Sequence, residues 1–326
     1  MIGIDLGVVV IGRNEGERLM RCFDSCRDID AGIVYVDSGS TDGSPEHAVS
    51  RGVPVEQLDM AKPFTAARAR NAGFAKLTAG DSAVCHVQFV DGDCELAAGW
   101  LNAGRNFLVE NPDVAAVHGR LRERYPTASV YNLQCDCEWV TPVGPAPSFG
   151  GLVMLRAAAF SALGGFNEAL IAGEEPELAV RLRAAGWKIH RIDAEMALHD
   201  ANIMRFGQWW RRTVRAGHAF AEGAALHGAT AERHWVREVR SARFWTLGVL
   251  GTAALLAALA GPAGLLLLLL YPLQVVRLAL GDRSAADFRL TRAALLVLGK
   301  FAEMQGQLRY RRTRRRGRAS TLIEYK

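Results

Sequence analysis

From Phe244 to Val276 the chain runs for 33 residues without a charged side chain, and Arg243 and Arg277 bound the run. A helix crosses the hydrocarbon of a bilayer in about 20 residues. One upright helix would leave residues over, whereas two helices of about 17 residues each barely fit. Gly261-Pro262-Ala263-Gly264 stands in the middle, and that is turn chemistry. Leu265–Leu270 is an unbroken row of leucines, which a soluble fold would have to cover on every side. The run is expected to form a helical membrane hairpin over about 244–276, the alternative being a buried helical pair.

Charge supports the hairpin. The chain carries +5, but 309–326 holds seven arginines and Lys326 against Glu324, a net +7, which leaves −2 for everything before it. Basic segments stay on the cytoplasmic side. A hairpin returns the chain to that side, so the body and the basic tail (309–326) are both expected to be cytoplasmic. Residues 285–308 place Phe288, Leu295, Leu298 and Phe301 at helical spacing among basic residues, as an interfacial helix does. A slightly acidic body with no aromatic-basic platform excludes nucleic acid as the main partner. The tail's expected partner is anionic lipid.

The six cysteines, Cys22, Cys26, Cys85, Cys94, Cys135 and Cys137, form no C-x-x-C pair, and no histidine stands at zinc-finger spacing from them. They read as buried free thiols in a reducing compartment. Met1–Ile11 is apolar but lacks a basic start and a small-residue cleavage site, so it reads as a first buried strand rather than an export signal.

Up to about residue 120 strand and helix patterns alternate. Strands are expected at Val8–Ile11, Ile33–Val36, Val53–Leu58 and Ala83–Val90. Helices are expected at Glu15–Arg27, from Ser44-Pro45, at Phe64–Leu77 and at Glu95–Val109. Such a series folds into a Rossmann-like, doubly wound α/β sheet. Further on, strands at Val114–Leu121, Leu152–Leu155 and Lys188–Ile192 and helices at Glu177–Ala185 and Phe206–Ala221 make the pattern mixed. The expected division is a catalytic domain over 1–235, a membrane-associated helical region over 236–308 and the basic tail.

Ligands of doubly wound sheets bind beyond the carboxyl ends of the strands. Polar clusters stand at those positions: Gly12-Arg13-Asn14-Glu15, Asp37-Ser38-Gly39-Ser40-Thr41-Asp42-Gly43 and Asp91-Gly92-Asp93, with Arg68, Arg70 and Asn71 between the third and fourth strands. Alternate carboxylates at a strand end can face one divalent cation, Mg²⁺ or Mn²⁺, which takes oxygen ligands and keeps substrate phosphates as partners. A plain Asp-Gly turn is the alternative. Asp37 can accept hydrogen bonds from a base or ribose, and Arg68 and Arg70 can neutralise a diphosphate. Glu174 and Glu175 open a helix, where acids suit the helix dipole and where one of them can act as a general base.

VVVIGRNEGERL, VYVDSGSTDGS, ARARNAG, FVDGDCEL, GGFNE and GEEPELAVRLRAAGW, in this order and spacing, resemble family 2 glycosyltransferases of the GT-A fold over about residues 5–215. The resemblance implies inverting, metal-dependent transfer of a sugar from a nucleotide-diphosphate sugar to a hydroxyl. It assigns Asp37 to the nucleobase and Asp91 and Asp93 to an Asp-x-Asp pair, Asp93 the direct metal ligand. Glu175 stands where the family's catalytic Asp follows a Glu, with Glu174 beside it. His199 stands where related enzymes hold a metal- or phosphate-binding His, and a structural role is the alternative. Gln208-Trp209-Trp210-Arg211-Arg212 resembles the Gln-x-x-Arg-Trp element of processive synthases with Arg212 in place of the final Trp, which weakens a processive reading. An interfacial helix is the alternative there.

The expected nucleotide-sugar contacts are thus Asn14, Glu15, Asp37, Arg68, Arg70, Asn71, Asp91, Gln208 and Arg211, and the expected metal ligands are Asp91, Asp93 and His199. The membrane run suggests a lipid-linked or envelope-polysaccharide acceptor at the inner membrane. A nucleotidyltransferase of similar fold, which would release pyrophosphate, and a non-enzymatic membrane scaffold acting through the basic tail are the competing classes.

Overall fold

The computed structural model describes residues 5–27, 31–79, 83–282, 284, 286–317 and 321–324. Residues 1–4 of the first apolar segment, Ala285, and 318–320 and 325–326 of the basic tail lie outside the described residues. The chain forms two compact units, one over 1–125 and 138–201, the other over 126–137 and 202–326.

In chain order the first unit holds β1 (Leu6–Gly12), α1 (Glu17–Ser25), β2 (Gly32–Asp37), α2 (Ser44–Ser50), β3 (Val55–Gln57), α3 (Ala66–Leu77), β4 (His86–Asp91), β5 (Cys94–Leu96), α4 (Trp100–Glu110) and β6 (Val114–Glu123). Then come α5 (Val130–Glu138), most of which belongs to the second unit, β7 (Gly144–Pro145), β8 (Val153–Arg156), α6 (Ala157–Ala162), α7 (Glu174–Ala184) and β9 (Lys188–His199). The strands join in one sheet of order β3-β2-β1-β4-β8-β6-β9-β5, with β7 on β9. β1 is the central strand of the parallel half, flanked by β2 and β4, and β3 lies parallel beyond β2.

The residues of β1 show why the sheet is covered on both faces. Val8 and Val10 pack into one apolar layer with Leu19, Phe23 and Trp100 from α1 and α4. Val9 and Ile11 pack into the opposite layer with Ala67 and Ala69 of α3, Phe160 of α6 and Leu178 of α7. A fully buried valine contributes about 1.5–3 kcal/mol relative to an exposed one, so a strand of valines facing both ways only gains if helices lie on both sides.

The sheet is mixed, as expected: β8 enters antiparallel between β4 and β6. Two other sequence expectations change here. The helix expected over Glu95–Val109 is split, because Cys94–Leu96 pairs antiparallel with Ala197–His199 and Gly99, in a left-handed conformation (φ 78°), delays the helix to Trp100. The strand expected over Lys188–Ile192 continues to His199 along β6, across register shifts that hide its periodicity.

The second unit holds α8 (Phe206–His227), α9 (Val236–Arg243), α10 (Val249–Ala260), α11 (Leu270–Gly281) and α12 (Arg289–Arg315). A π turn at Phe244–Gly248 joins α9 to α10, so Val236–Ala260 is one continuous helix, and Pro262–Gly281 is a second that begins as a 3₁₀ stretch. Both are long and apolar enough to cross a membrane. Gly261 (φ 86°) makes the turn between them, and a Cβ on Gly264 would lie 2.4 Å from the backbone nitrogen of Ala257. The two helices therefore meet closely at their tips, as a hairpin requires. None of the second helix's apolar window is buried, and Leu266, Leu273 and Leu280 are more than half exposed. The helix expected over about 285–308 starts at Arg289 and runs on into the basic tail as far as Arg315.

Candidate active site

Register brings the polar clusters to one edge. Gly12 pairs with Asp37 and Ile11 with Asp91, so the last residues of β1, β2 and β4 lie side by side. Asp37 is 4% exposed, and its carboxylate accepts hydrogen bonds from Gly39 N (2.9 Å), Ser40 N (3.0 Å) and the Tyr35 hydroxyl (3.0 Å). Burial and the Asp37 charge push the Tyr35 phenol well above its usual range, so it remains a donor. Asn14, at φ 56°, ties two loops together: its N–H donates to Ser40 Oγ and its side-chain oxygen accepts from Thr41 N. Glu15 forms an ion pair with Arg18 at 2.7 Å.

The centre of the site is Arg70, which is 2% exposed. It projects from α3, whose first turn is capped by Thr65 Oγ1 accepting from Arg68 N. One guanidinium nitrogen donates to Glu174 (2.8 Å) and Glu175 (2.9 Å), and the other to Asp91 (2.9 Å). Burial alone would lower the Arg70 pKa, but the Asp91, Glu175 and Glu174 charges more than reverse this and keep it cationic. Three carboxylates against one guanidinium leave an excess of negative charge. Burial, then the Glu174 carboxylate, raise the Glu175 pKa from 4.5 to about 7, with Arg70 pulling against them. A carboxylate held near neutrality and 14% exposed can exchange a proton with a bound hydroxyl.

Gly151 closes this cluster. A Cβ there would sit 2.5 Å from an Arg70 nitrogen and 2.9 Å from Asp91 Oδ2. No sequence pattern singled it out; the Gly150-Gly151 pair just before β8 was the available signal.

Asp93 forms a second focus. It is 8% exposed, and its Oδ2 lies 3.4 Å from His199 Nε2, brought there by the pairing of Cys94 with His199 across β5 and β9. His199 Nδ1 lies 3.8 Å from Glu123, and the Trp139 ring packs edge-on against the imidazole at 5.0 Å. Neither Glu123 nor Trp139 was a sequence candidate. Ligand atoms of Asp93, Cys94 and His199 all lie within 4.8 Å of one another. The carboxylate suits Mn²⁺ or Mg²⁺, while the imidazole and the thiol are softer donors less suited to Mg²⁺. Asp91 is turned from this focus to Arg70.

The other candidates have different partners. Arg68 donates to the carbonyls of Asp59 (2.8 Å) and Lys62 (3.1 Å), and Asn71 binds the backbone of Phe166 and the Glu168 carboxylate. These two residues hold the 59–63 and 164–168 loops instead of joining the Arg70 cluster. Gln208 and Arg211 belong to the second unit, where Gln208 accepts from Met204 N and Arg205 N to cap α8 and Arg211 donates to Gly207 O. Trp209 is buried and stacks on Tyr131, and Trp210 donates to Gln305 (2.8 Å). The tryptophans of this element therefore pack the helical unit.

Residues 7–141 match the model for glycosyl transferase family 2, and residues 133–205 match one described as the N-terminal domain of galactosyltransferase. The chain is similar to the pre-mycofactocin glycosyltransferase of Mycobacterium tuberculosis, 26% identical over 68% of this chain and 48% of that protein, so it spans about half the length of that relative. It is also similar to the N-acetylglucosaminyl-diphospho-decaprenol L-rhamnosyltransferase of the same organism, 27% identical over 60% of this chain and 76% of that one. Among solved structures it resembles a mannosyltransferase from Pyrobaculum calidifontis in complex with GDP-Man and Mn²⁺, with a TM-score of 0.64, 20% identity and coverage of 94% and 88% of the two chains. At this identity the likeness establishes the fold alone.

Proposed function

We propose that this chain, which has the GT-A fold and matches the glycosyl transferase family 2 model over residues 7–141, is a family 2 glycosyltransferase that moves a sugar, with inversion, from a nucleotide-diphosphate sugar to a hydroxyl of a lipid-linked or envelope-glycan acceptor at the cytoplasmic face of a membrane. The observation that carries the reading is the Arg70 cluster, which holds Glu175 with a pKa near 7 beside Asp91 at the edge where Asp37 also ends its strand. In this reading Asp37 receives the nucleobase or ribose. Glu175 takes the acceptor proton as the acceptor oxygen bonds to the anomeric carbon, and the bond from that carbon to the diphosphate oxygen breaks on the opposite face. Glu174 and Arg70 orient Glu175.

Asp93 and His199 would hold Mg²⁺ or Mn²⁺, with Asp91 as the second carboxylate of the Asp-x-Asp pair. The bound cation would offset charge on the departing diphosphate. Support for a metal comes from the donor set at Asp93 and His199 and from the Mn²⁺ in the similar mannosyltransferase. Support for a lipid-linked acceptor comes from the decaprenol-linked substrate in the relative's name and from the two membrane-length helices.

The test is a panel of nucleotide sugars incubated with the full chain, with Mg²⁺ or Mn²⁺ and then with chelator. Release of nucleoside diphosphate, lost on chelation and in Asp93→Ala, is the expected result. Release of pyrophosphate would reassign the protein as a nucleotidyltransferase, and no turnover by any donor would leave the scaffold reading.

A further inference from the structure

The second unit contains a cleft of about 690 Å³ lined by α8, α9 and α12. Small side chains such as Ala221 form its α8 side. Its other sides are cationic: Arg243 from α9, and Arg311, Arg314 and Arg315 from α12, with Tyr310 among them. Positions 311, 314 and 315 are three and four residues apart, so they share one face of the helix. Arg243 donates to Gln307 at 3.2 Å, and among the described residues none of these four arginines forms an ion pair with a carboxylate.

Four unneutralised guanidinium groups around one concavity repel each other, and an anion with several acceptor oxygens relieves that repulsion. Guanidinium forks match phosphate oxygens in pairs. The source of the phosphate is indicated by the chain itself. Arg243 is the last residue before the 33-residue uncharged run. With that run inserted, Arg243 lies at headgroup depth, where anionic lipids present their phosphates.

We propose that this cleft is a binding site for the phosphate of an anionic lipid headgroup. The proposal rests on the membrane attachment above and not on sugar transfer.

The full chain in neutral detergent would be titrated by calorimetry with dihexanoyl phosphatidic acid and, separately, with inorganic phosphate. The lipid is expected to bind. Arg311→Gln with Arg315→Gln should weaken binding by about tenfold or more, the scale of losing a charge-assisted hydrogen bond. Arg312→Gln with Arg316→Gln removes the same charge outside the cleft and should change binding by less than about twofold. Arg311→Lys with Arg315→Lys keeps the charge without the fork and should give an intermediate loss, which guards against a folding artefact. Equal losses in the two Gln pairs, or no binding of the lipid, would overturn the site. Inorganic phosphate binding as tightly as the lipid would overturn the lipid assignment. Transfer is not the readout, so either proposal can fail alone.

Discussion

Arg70 is where single side chains decide most. One buried guanidinium holds Asp91, Glu174 and Glu175 at hydrogen-bond distance, and removing it would leave three carboxylates without their shared cation. Glu175→Gln keeps the shape and removes the base, so transfer should fall by about 10²–10⁴-fold. Its melting temperature at neutral pH should hold or rise, because burial and Glu174 already penalise the charge. The folded pKa, about 7, lies above the ordinary 4.5, so between those values the folded state binds the proton more tightly. The Glu175 contribution to stability is therefore present at low pH and lost as pH rises through that window. Activity runs the other way: the pH–rate profile of the parent should show an acid limb near 7, since the base must be deprotonated. A rate flat from pH 5 to pH 8 would remove Glu175 from that role. Gly151→Ala puts a methyl 2.5 Å from Arg70 and should lower turnover about tenfold or more, at a cost of about 1–3 kcal/mol in stability from overpacking. The carboxylates were legible in the sequence because acids after strands stand out. Gly151 was not, because its role exists only once β8 lies beside β4.

Among the elements, the contact of α8 with α12 shows how backbone proximity sets a unit. A Cβ on Gly217 would lie 2.1 Å from the Glu303 carbonyl oxygen, and one on Gly306 would lie 2.1 Å from that of Val214. Backbone cannot turn aside as a side chain can, so Gly217→Ala should separate the helices and cost about 1–3 kcal/mol or more, read as a lower unfolding temperature in detergent. Gly207→Ala, at a position with open space around its Cβ, should leave that temperature unchanged. Neither glycine of the contact looks unusual in the sequence, since each is an isolated glycine in a helical pattern. The short strand β5 was hidden for a related reason. Cys94-Glu95-Leu96 has no strand signature of its own, and only pairing with the end of β9 extends it. That pairing is also what brings His199 to Asp93.

At the scale of the molecule, two units that bury apolar surface differently are joined in one chain: a sheet covered on both faces, and helices whose leucines are exposed. Leucine rows of this length and exposure are what the proposed membrane attachment calls for. Leu267→Arg with Leu268→Arg should cost about 2.5–3.5 kcal/mol per residue on insertion and move the chain from the carbonate-washed membrane fraction to aggregates or supernatant. Unchanged membrane retention would exclude insertion of this segment. The sequence by itself determined the features that depend on local pattern. These are the alternation of strands and helices, the uncharged run with its turn at Gly261, and the acids at strand ends. Each follows from periodicity, charge or backbone preference over a few neighbouring residues. Only the tertiary structure decided which acids share Arg70, that Asn71 and Arg68 hold loops, that His199 meets Asp93 and that four arginines line one cleft. Those relations join residues up to about a hundred positions apart, such as Arg70 and Glu175. They depend on strand order and register, which no local pattern specifies.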